Sequence, residues 1–239
     1  MSKPLLLDLF CGAGGASMGY YHAGFDVVGV DIKPMPRYPF AFIKSDALEF
    51  LDYFLAQRQE HGESALLDKV VAIHASPPCQ QWSVMSRCRP GLAATYPALI
   101  EPTCERLQAL GLPYVIENVP KAPLNNPTVL CGSQFNLTSA WKGDRVGLRR
   151  HRGFEASFCL PDPGPCDHTY RFATVAGHGR RNVPYWSGKG YAQLARDLMG
   201  IQWMSRDELD EAIPPAYTRY VGGHLMAHLR DRAQLRLAA

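Results

Sequence analysis

The segment Ser76-Pro77-Pro78-Cys79-Gln80-Gln81-Trp82-Ser83 sets a thiol directly behind two prolines. Proline fixes φ, so this cysteine is held on a stiff turn, which is one way a fold presents a nucleophile. A free thiol ionises at roughly pH 8.5, so such a role needs local activation. The bland alternative is a small buried hydrophobe, the usual fate of a lone cysteine. Glu117-Asn118-Val119-Pro120 supplies a carboxylate that can act as the acid partner of a nucleophile, or stay a solvated charge. Asp8-Leu9-Phe10-Cys11-Gly12-Ala13-Gly14-Gly15 ends an apolar run in glycines. Glycines let a ligand approach the backbone, and a helix that follows offers free N–H groups. The dinucleotide pattern G-x-G-x-x-G would need glycine where Ser17 stands, which weakens a nicotinamide reading. Asp31 suits two ribose hydroxyls and Asp46 an adenine amine, so an adenosine-bearing cofactor is expected. Arg149-Arg150-His151-Arg152 is a cationic run suited to phosphates and base edges, or else a solvated face.

These residues fall at the ends of predicted elements. Leu5–Phe10 reads as a strand, Ala16–Ala23 as a helix and Asp26–Val30 as a strand, which together form a βαβ unit. Ala41–Lys44, Val70–Ala75 and Pro113–Ile116 read as further strands. Ala47–Gln59 places Leu48, Leu51 and Leu55 at helical spacing, and Pro102–Leu110 forms another helix. Strands alternating with helices argue a mostly parallel sheet covered on both faces, with chemistry at the carboxyl ends of the strands. After about Pro120 the periodicity weakens. Residues 156–190, rich in Pro and Gly, read as a small loop-rich lobe. Tyr191–Met199, Arg206–Ala212 and Ala216–Leu229 read as helices. The expected organisation is 1–155 for catalysis and cofactor, 156–190 for target recognition, and 191–239 returning to the first domain.

The chain has 239 residues, 46% of them hydrophobic, enough for one globular domain with a small appended lobe. The net charge of +3 is too mild to imply nucleic acid by itself. Its distribution says more, because Lys142–Arg181 holds eight Lys and Arg against four acids. No apolar run approaches the roughly 20 residues of a membrane span, and no secretory signal is read at the start, so a cytoplasmic protein without a membrane partner is expected. The seven cysteines have no dense spacing pattern, so reduced thiols are expected. Cys159, Cys166, His168 and His178 lie close in sequence, but their spacing fits no common zinc pattern, and no metal is expected.

Taken together, these segments resemble the DNA cytosine-C5 methyltransferases, particularly the short phage-encoded ones, over nearly the whole chain. Asp8-Leu9-Phe10-Cys11-Gly12-Ala13-Gly14-Gly15 looks like the family's S-adenosylmethionine motif, Pro77-Pro78-Cys79-Gln80 like its catalytic loop and Glu117-Asn118-Val119 like its E-N-V motif. Arg150-x-Arg152 looks like the end of Q-x-R-x-R, and Ile213–Thr218 like the closing motif. Two departures stand out. Leu148 replaces the expected Gln, and Val221-Gly222-Gly223-His224 replaces the commoner closing glycine motif, so the group holding the cofactor's amino-acid end is unassigned, with Tyr217 and Thr218 as candidates.

The resemblance implies a Rossmann-like α/β S-adenosylmethionine-dependent methyltransferase fold, and a monomer acting on double-stranded DNA. Cys79 would attack C6 of a flipped-out cytosine, Glu117 would act at N3, Arg152 at the O2 side, and Arg150 would support the catalytic loop. Phe10, Cys11, Gly12, Ala13, Gly14, Gly15, Asp31, Ile32, Asp46, Ala47 and Pro78 would hold S-adenosyl-L-methionine, leaving S-adenosyl-L-homocysteine. Ser76, Pro77, Gln80, Ser83, Arg87, Arg89, Asn118 and Val119 would contact DNA, with the segment Gln80–Gly91 closing over the base. Two other readings stay open: an RNA cytosine-C5 methyltransferase, and a non-catalytic regulatory module that binds cofactor and DNA.

Overall fold

The computed structural model describes residues 3–59, 67–79, 82, 97–175 and 190–238. Five parallel strands form the frame: β1 (Leu5–Leu9), β2 (Asp26–Asp31), β3 (Ala41–Lys44), β4 (Val70–Ala75) and β5 (Tyr114–Asn118). The near-continuous apolar runs of β1, β2, β4 and β5 suit strands buried on both faces, while β3 lies half-exposed at the edge. β9 (Arg152–Ala156) pairs antiparallel with β5, and β6 (Thr128–Leu130) pairs antiparallel with β9, giving the order β3-β2-β1-β4-β5-β9-β6. The order reverses direction between β1 and β4, the place where open α/β sheets form a ligand crevice.

α2 (Ala47–Gln59) and α3 (Ile100–Leu110) cover one face, where Phe50, Leu51, Phe54, Leu107 and Leu110 join Leu7, Leu9 and Ile73 in one core. On the other face, α1 (Gly15–His22) and α6 (Pro215–Ala238) pack through Ala16, Tyr20, Tyr217 and Val221 onto Leu6 and Val115. Gly19 allows the two helices to touch, since a Cβ there would lie 2.0 Å from Thr218 Oγ1. Pro215 stands at the first helical position, where its missing N–H costs nothing.

The segment without clear periodicity contains more strands than expected. β7 (Thr138–Trp141), β8 (Asp144–Leu148) and β10 (Phe172–Ala173) make a second sheet in the order β10-β8-β7. Both β7 and β8 precede residue 156, where the recognition lobe was expected to begin. Val146, Leu148 and Ala173 share a separate core with Leu194, Leu198 and Met199 of α4 (Tyr191–Met199) and Leu209 of α5 (Arg206–Glu211). Strands of two to five residues are too short to display an alternating pattern, so their pairing, not their composition, defines them. Among the described residues no helix is long and apolar enough to cross a membrane.

Candidate active site

The carboxyl ends of β1, β2, β4 and β5 carry most of the residues singled out above. Phe10 and Gly12 both adopt the left-handed conformation, at φ 55° and 50°, and Gly14 follows at φ 86°. Phe10 is not a glycine, so this backbone stores strain at the turn. Gly14 caps the N-terminus of α1. The Asp31 carboxylate accepts the N–H groups of Gly12 and Lys33, each at 3.0 Å, which fixes the turn against the end of β2. Ile32 beside it is 60% exposed, an apolar surface suited to a planar ring.

Asp46 Oδ1 accepts the N–H groups of Leu48 at 2.8 Å and Glu49 at 3.2 Å. It therefore caps α2 with one oxygen, and Ala47 behind it is buried. Tyr217 and Thr218 have other partners than a cofactor. Thr218 Oγ1 donates to the Ala16 carbonyl at 2.8 Å, and Tyr217 OH donates to the Arg150 carbonyl at 2.6 Å.

The turn after β4 is tied to both neighbouring strands. Ser76 N–H donates to the Leu9 carbonyl at 3.1 Å, and Asn118 Nδ2 donates to the Pro77 carbonyl at 2.8 Å. Asn118 Oδ1 also accepts the Val119 N–H at 2.9 Å, so both ends of the Asn118 amide are engaged, one of them on the proline turn. Pro77 is buried, while Ser76, Pro78 and Cys79 are half-buried. Gln80, Ser83, Arg87 and Arg89, with the rest of the expected closing segment, lie outside the described residues.

Glu117 is buried at the end of β5, and Arg152 Nε on the adjacent β9 lies 3.0 Å from its Oε1. That guanidinium sits off the hydrogen-bond line, so Oε1 keeps an unused lone pair. Burial pushes the Glu117 carboxyl up, while Arg152 and Arg150 pull it back. Burial also raises the Cys79 thiol; Arg152 lowers it, Glu117 raises it and Arg150 lowers it. The thiol, the carboxyl and two guanidiniums thus form one electrostatic group.

Arg150 is placed differently from the expectation. It is buried, and its guanidinium donates to the Val175 carbonyl and, at 3.0 Å, to the Asp210 carbonyl. Burial pushes its pKa down to about 9. It joins the second sheet to the C-terminal helices. Leu148, in the place of the expected Gln, is 1% exposed in the core of that second lobe. An amide there would lose its water in an apolar setting.

The cysteine–histidine reading is also changed. Cys166 and His168 do meet a thiol and an imidazole, but those of Cys131 and His151, while His178 lies outside the described residues. Sequence distance hid this group, since Cys131 and His151 come from segments read as ordinary; the Cys166-x-His168 pair was its one local signal.

The family profile described as C-5 cytosine-specific DNA methylase matches residues 5–125, half of the chain. A 36-residue stretch is 56% identical to the Type II methyltransferase M.XorII of Xanthomonas oryzae pv. oryzae, covering 15% of this chain and 8% of that protein. The fold is similar to that of an E. coli protein described as a DNA modification methyltransferase encoded within a prophage, with TM-score 0.55 and 15% identity over 95% of this chain and 99% of the other. It is also similar to the S. pombe Dnmt2 methyltransferase, with TM-score 0.51 and 12% identity over 94% of this chain and 98% of the other.

Proposed function

The chain belongs to the C-5 cytosine-specific DNA methylases, and from that membership we propose that it methylates C5 of a cytosine in duplex DNA through a covalent adduct on Cys79. The observation that carries this reading is the buried Glu117 beside Arg152, on a strand end tied through Asn118 to the proline turn of Cys79.

Cytosine C5 is a poor nucleophile. Attack of the Cys79 thiolate on C6 breaks the 5,6 double bond and pushes its electrons toward C5 and N3. Burial pushes the Glu117 carboxyl up, which suits it to give a proton to N3 as the adduct forms and so to stabilise it. Arg152 faces the O2 side and limits the charge left there. C5 takes the new methyl group, its proton leaves to a base, and the thiolate departs to restore the ring. The target must leave the base stack first, at a cost of a few kcal/mol.

S-adenosyl-L-methionine fits the first turn. Bound there, it would supply an electrophilic methyl group. The main chain of Phe10, Cys11, Gly12, Ala13, Gly14 and Gly15 would surround its methionine part, at a turn whose Phe10, Gly12 and Gly14 adopt left-handed conformations. Asp31 would take the ribose hydroxyls and Ile32 the adenine face, with Ala47 and Pro78 lining the site. Asp46 would reach the adenine amine with the oxygen its helix cap leaves over. Residues 156–190 together with the second sheet would read the target, and the Lys142–Arg181 segment would add phosphate contacts whose strength falls with salt.

The test is expression of the wild type and Cys79→Ala in a bacterial host lacking cytosine-C5 methylation, followed by conversion sequencing of its DNA. Modified cytosines in one short context, present only with the wild type, are expected. Unmodified DNA with labelled transfer RNA would move the reaction to RNA. Neither product from a folded chain that binds S-adenosylmethionine would leave the regulatory reading.

A further inference from the structure

We propose that Cys131, His151, Cys166 and His168 bind a zinc ion that fastens the proline-rich segment beside the active site. Cys131 Sγ lies 3.3 Å from His168 Nε2, and Cys166 Sγ lies 3.6 Å from His151 Nε2. The ligand atoms of all four lie within 4.8 Å of one another. With zinc–sulfur bonds of about 2.3 Å and zinc–nitrogen bonds of about 2.0–2.1 Å, sulfur and nitrogen at two corners of a tetrahedron stand about 3.5 Å apart. The two sulfur–nitrogen pairs already have that spacing, and closing the longest separations takes about an ångström of side-chain movement. The imidazoles stand at 88° with centroids 5.2 Å apart, so they approach a common point from different directions. Two separate thiol–imidazole hydrogen bonds would account for each pair but not for the convergence of both.

The backbone is arranged to deliver these ligands. Cys131 follows β6 and opens the short helical turn Gly132–Phe135, with its N–H held by Gln134 Oε1 at 2.7 Å. The Gln134 amide donates to the Gly164 carbonyl, and Ser133 Oγ accepts the Asp167 N–H at 3.2 Å. The turn therefore already grips residues 164–167 from one side. Pro161-Asp162-Pro163-Gly164-Pro165 contains no helix or strand, so few backbone bonds of its own hold it. His151 lies between Arg150 and Arg152, so an ion there would fix the chain that leads into Arg152 beside Glu117.

Two cysteines and two histidines with no water position make a closed set, the pattern of a structural zinc rather than a catalytic one. Both thiols would lose their protons on binding, and two thiolates with two neutral imidazoles would cancel the ion's charge. That neutrality suits a site between a buried cysteine and half-buried histidines.

The test uses the full chain, purified under reducing conditions with zinc, and elemental analysis. About one zinc per chain is expected. Replacement by cobalt should give the intense visible bands of a tetrahedral ion together with thiolate charge-transfer absorption. Cys166→Ser changes an exposed residue and His168→Ala a half-buried residue outside any helix or strand, so both variants should fold. Each should weaken zinc binding by at least about tenfold, the scale seen even for outer-shell partners of metal ligands. Cys159→Ser, an exposed thiol outside the cluster, should leave the metal content unchanged. The proposal is overturned if the reconstituted wild type holds no zinc, if the two variants hold as much as it does, or if alkylation finds Cys131 and Cys166 joined as a disulfide.

Discussion

Asp8 and His74 are register partners on the adjacent parallel strands β1 and β4, and both are fully buried. Each has its own hydrogen bonds on the α1 side. Ser17 Oγ donates to Asp8, and Ser17 Oγ also lies 2.8 Å from Tyr38 OH. His74 sits between Tyr20 OH at 3.0 Å and Ser76 Oγ at 2.8 Å. Burial raises the Asp8 carboxyl from 3.8 to about 7 and lowers the His74 imidazole from 6.5 to about 3. An acid and a base that would attract each other as ions are both kept neutral over a wide range of mildly acidic pH.

The two groups pull stability in opposite directions. From pH 3.8 to about 7 the unfolded chain ionises Asp8 before the folded chain does, so stability falls as pH rises. From pH 6.5 down to about 3 the unfolded chain protonates His74 first, so stability falls as pH drops. Each effect is worth at most about 4–5 kcal/mol over its full range. The slopes cancel between about pH 4 and 6.5 in the wild type. Urea unfolding of Asp8→Asn should show stability rising with pH across that window, and His74→Gln should show it falling. Parallel, unchanged profiles in the two variants would contradict the burial argument.

Cys79→Ala should abolish methyl transfer while the chain still binds S-adenosylmethionine, because Cys79 belongs to the β4 turn and not to the glycine turn. A 5-fluorocytosine-containing duplex should become covalently attached to the wild type and not to the variant. Denaturing gel electrophoresis reads both outcomes.

Glu117→Gln should lower kcat by roughly 10²–10⁴-fold, the usual contribution of a positioned general acid. The amide keeps the size of the side chain and removes both its charge and its acidic proton. Since Glu117 raises the Cys79 thiol, the same substitution should lower the pH at which Cys79 reacts with iodoacetamide. A reactivity profile that stays in place would separate Glu117 from Cys79.

Asp46→Ala should cost about 1 kcal/mol of stability, because it removes the cap of α2. It should also weaken S-adenosylmethionine binding by about tenfold, the worth of one hydrogen bond to a charged group. Asp46→Ser separates the two effects: a serine can still cap the helix, so stability should return while affinity stays low. Calorimetry reads the affinity and thermal unfolding reads the cap.

The five parallel strands were legible because each is a short apolar run with no polar face to hide, and each ends in the residues that matter. Cys79 and Glu117 could be paired from sequence for the same reason: topology brings the ends of β4 and β5 together whatever the loops do. The second sheet was not legible, since β7, β8 and β10 have no length over which a period could appear. Leu148 illustrates the limit. As a missing glutamine it suggested a weakened site, whereas its place is the core under α4, a fact that depends on pairing with residues near 137 and 173. Arg150 was likewise recognisable as a special arginine, but its carbonyl partners at Val175 and Asp210 are 25 and 60 residues away and carry no sequence mark.

The glycine turn near the start of the chain is held at Gly12 by Asp31, but its further side is braced by residues near the chain's end. Trp203 Nε1 donates to the Ala13 carbonyl at 2.8 Å, a Cβ on Gly15 would lie 2.5 Å from the Ile213 carbonyl, and Thr218 holds the Ala16 carbonyl. A ribosome makes the turn first and its supports last. While residues 201–218 are still in the exit tunnel, the emerged strands have a loop with the right residues, tied to β2 but open on the side that Trp203, Ile213 and Thr218 later close. The nascent chain should therefore gain its affinity for nucleoside ligands late and abruptly, so that no half-made enzyme draws on the cell's methyl donor.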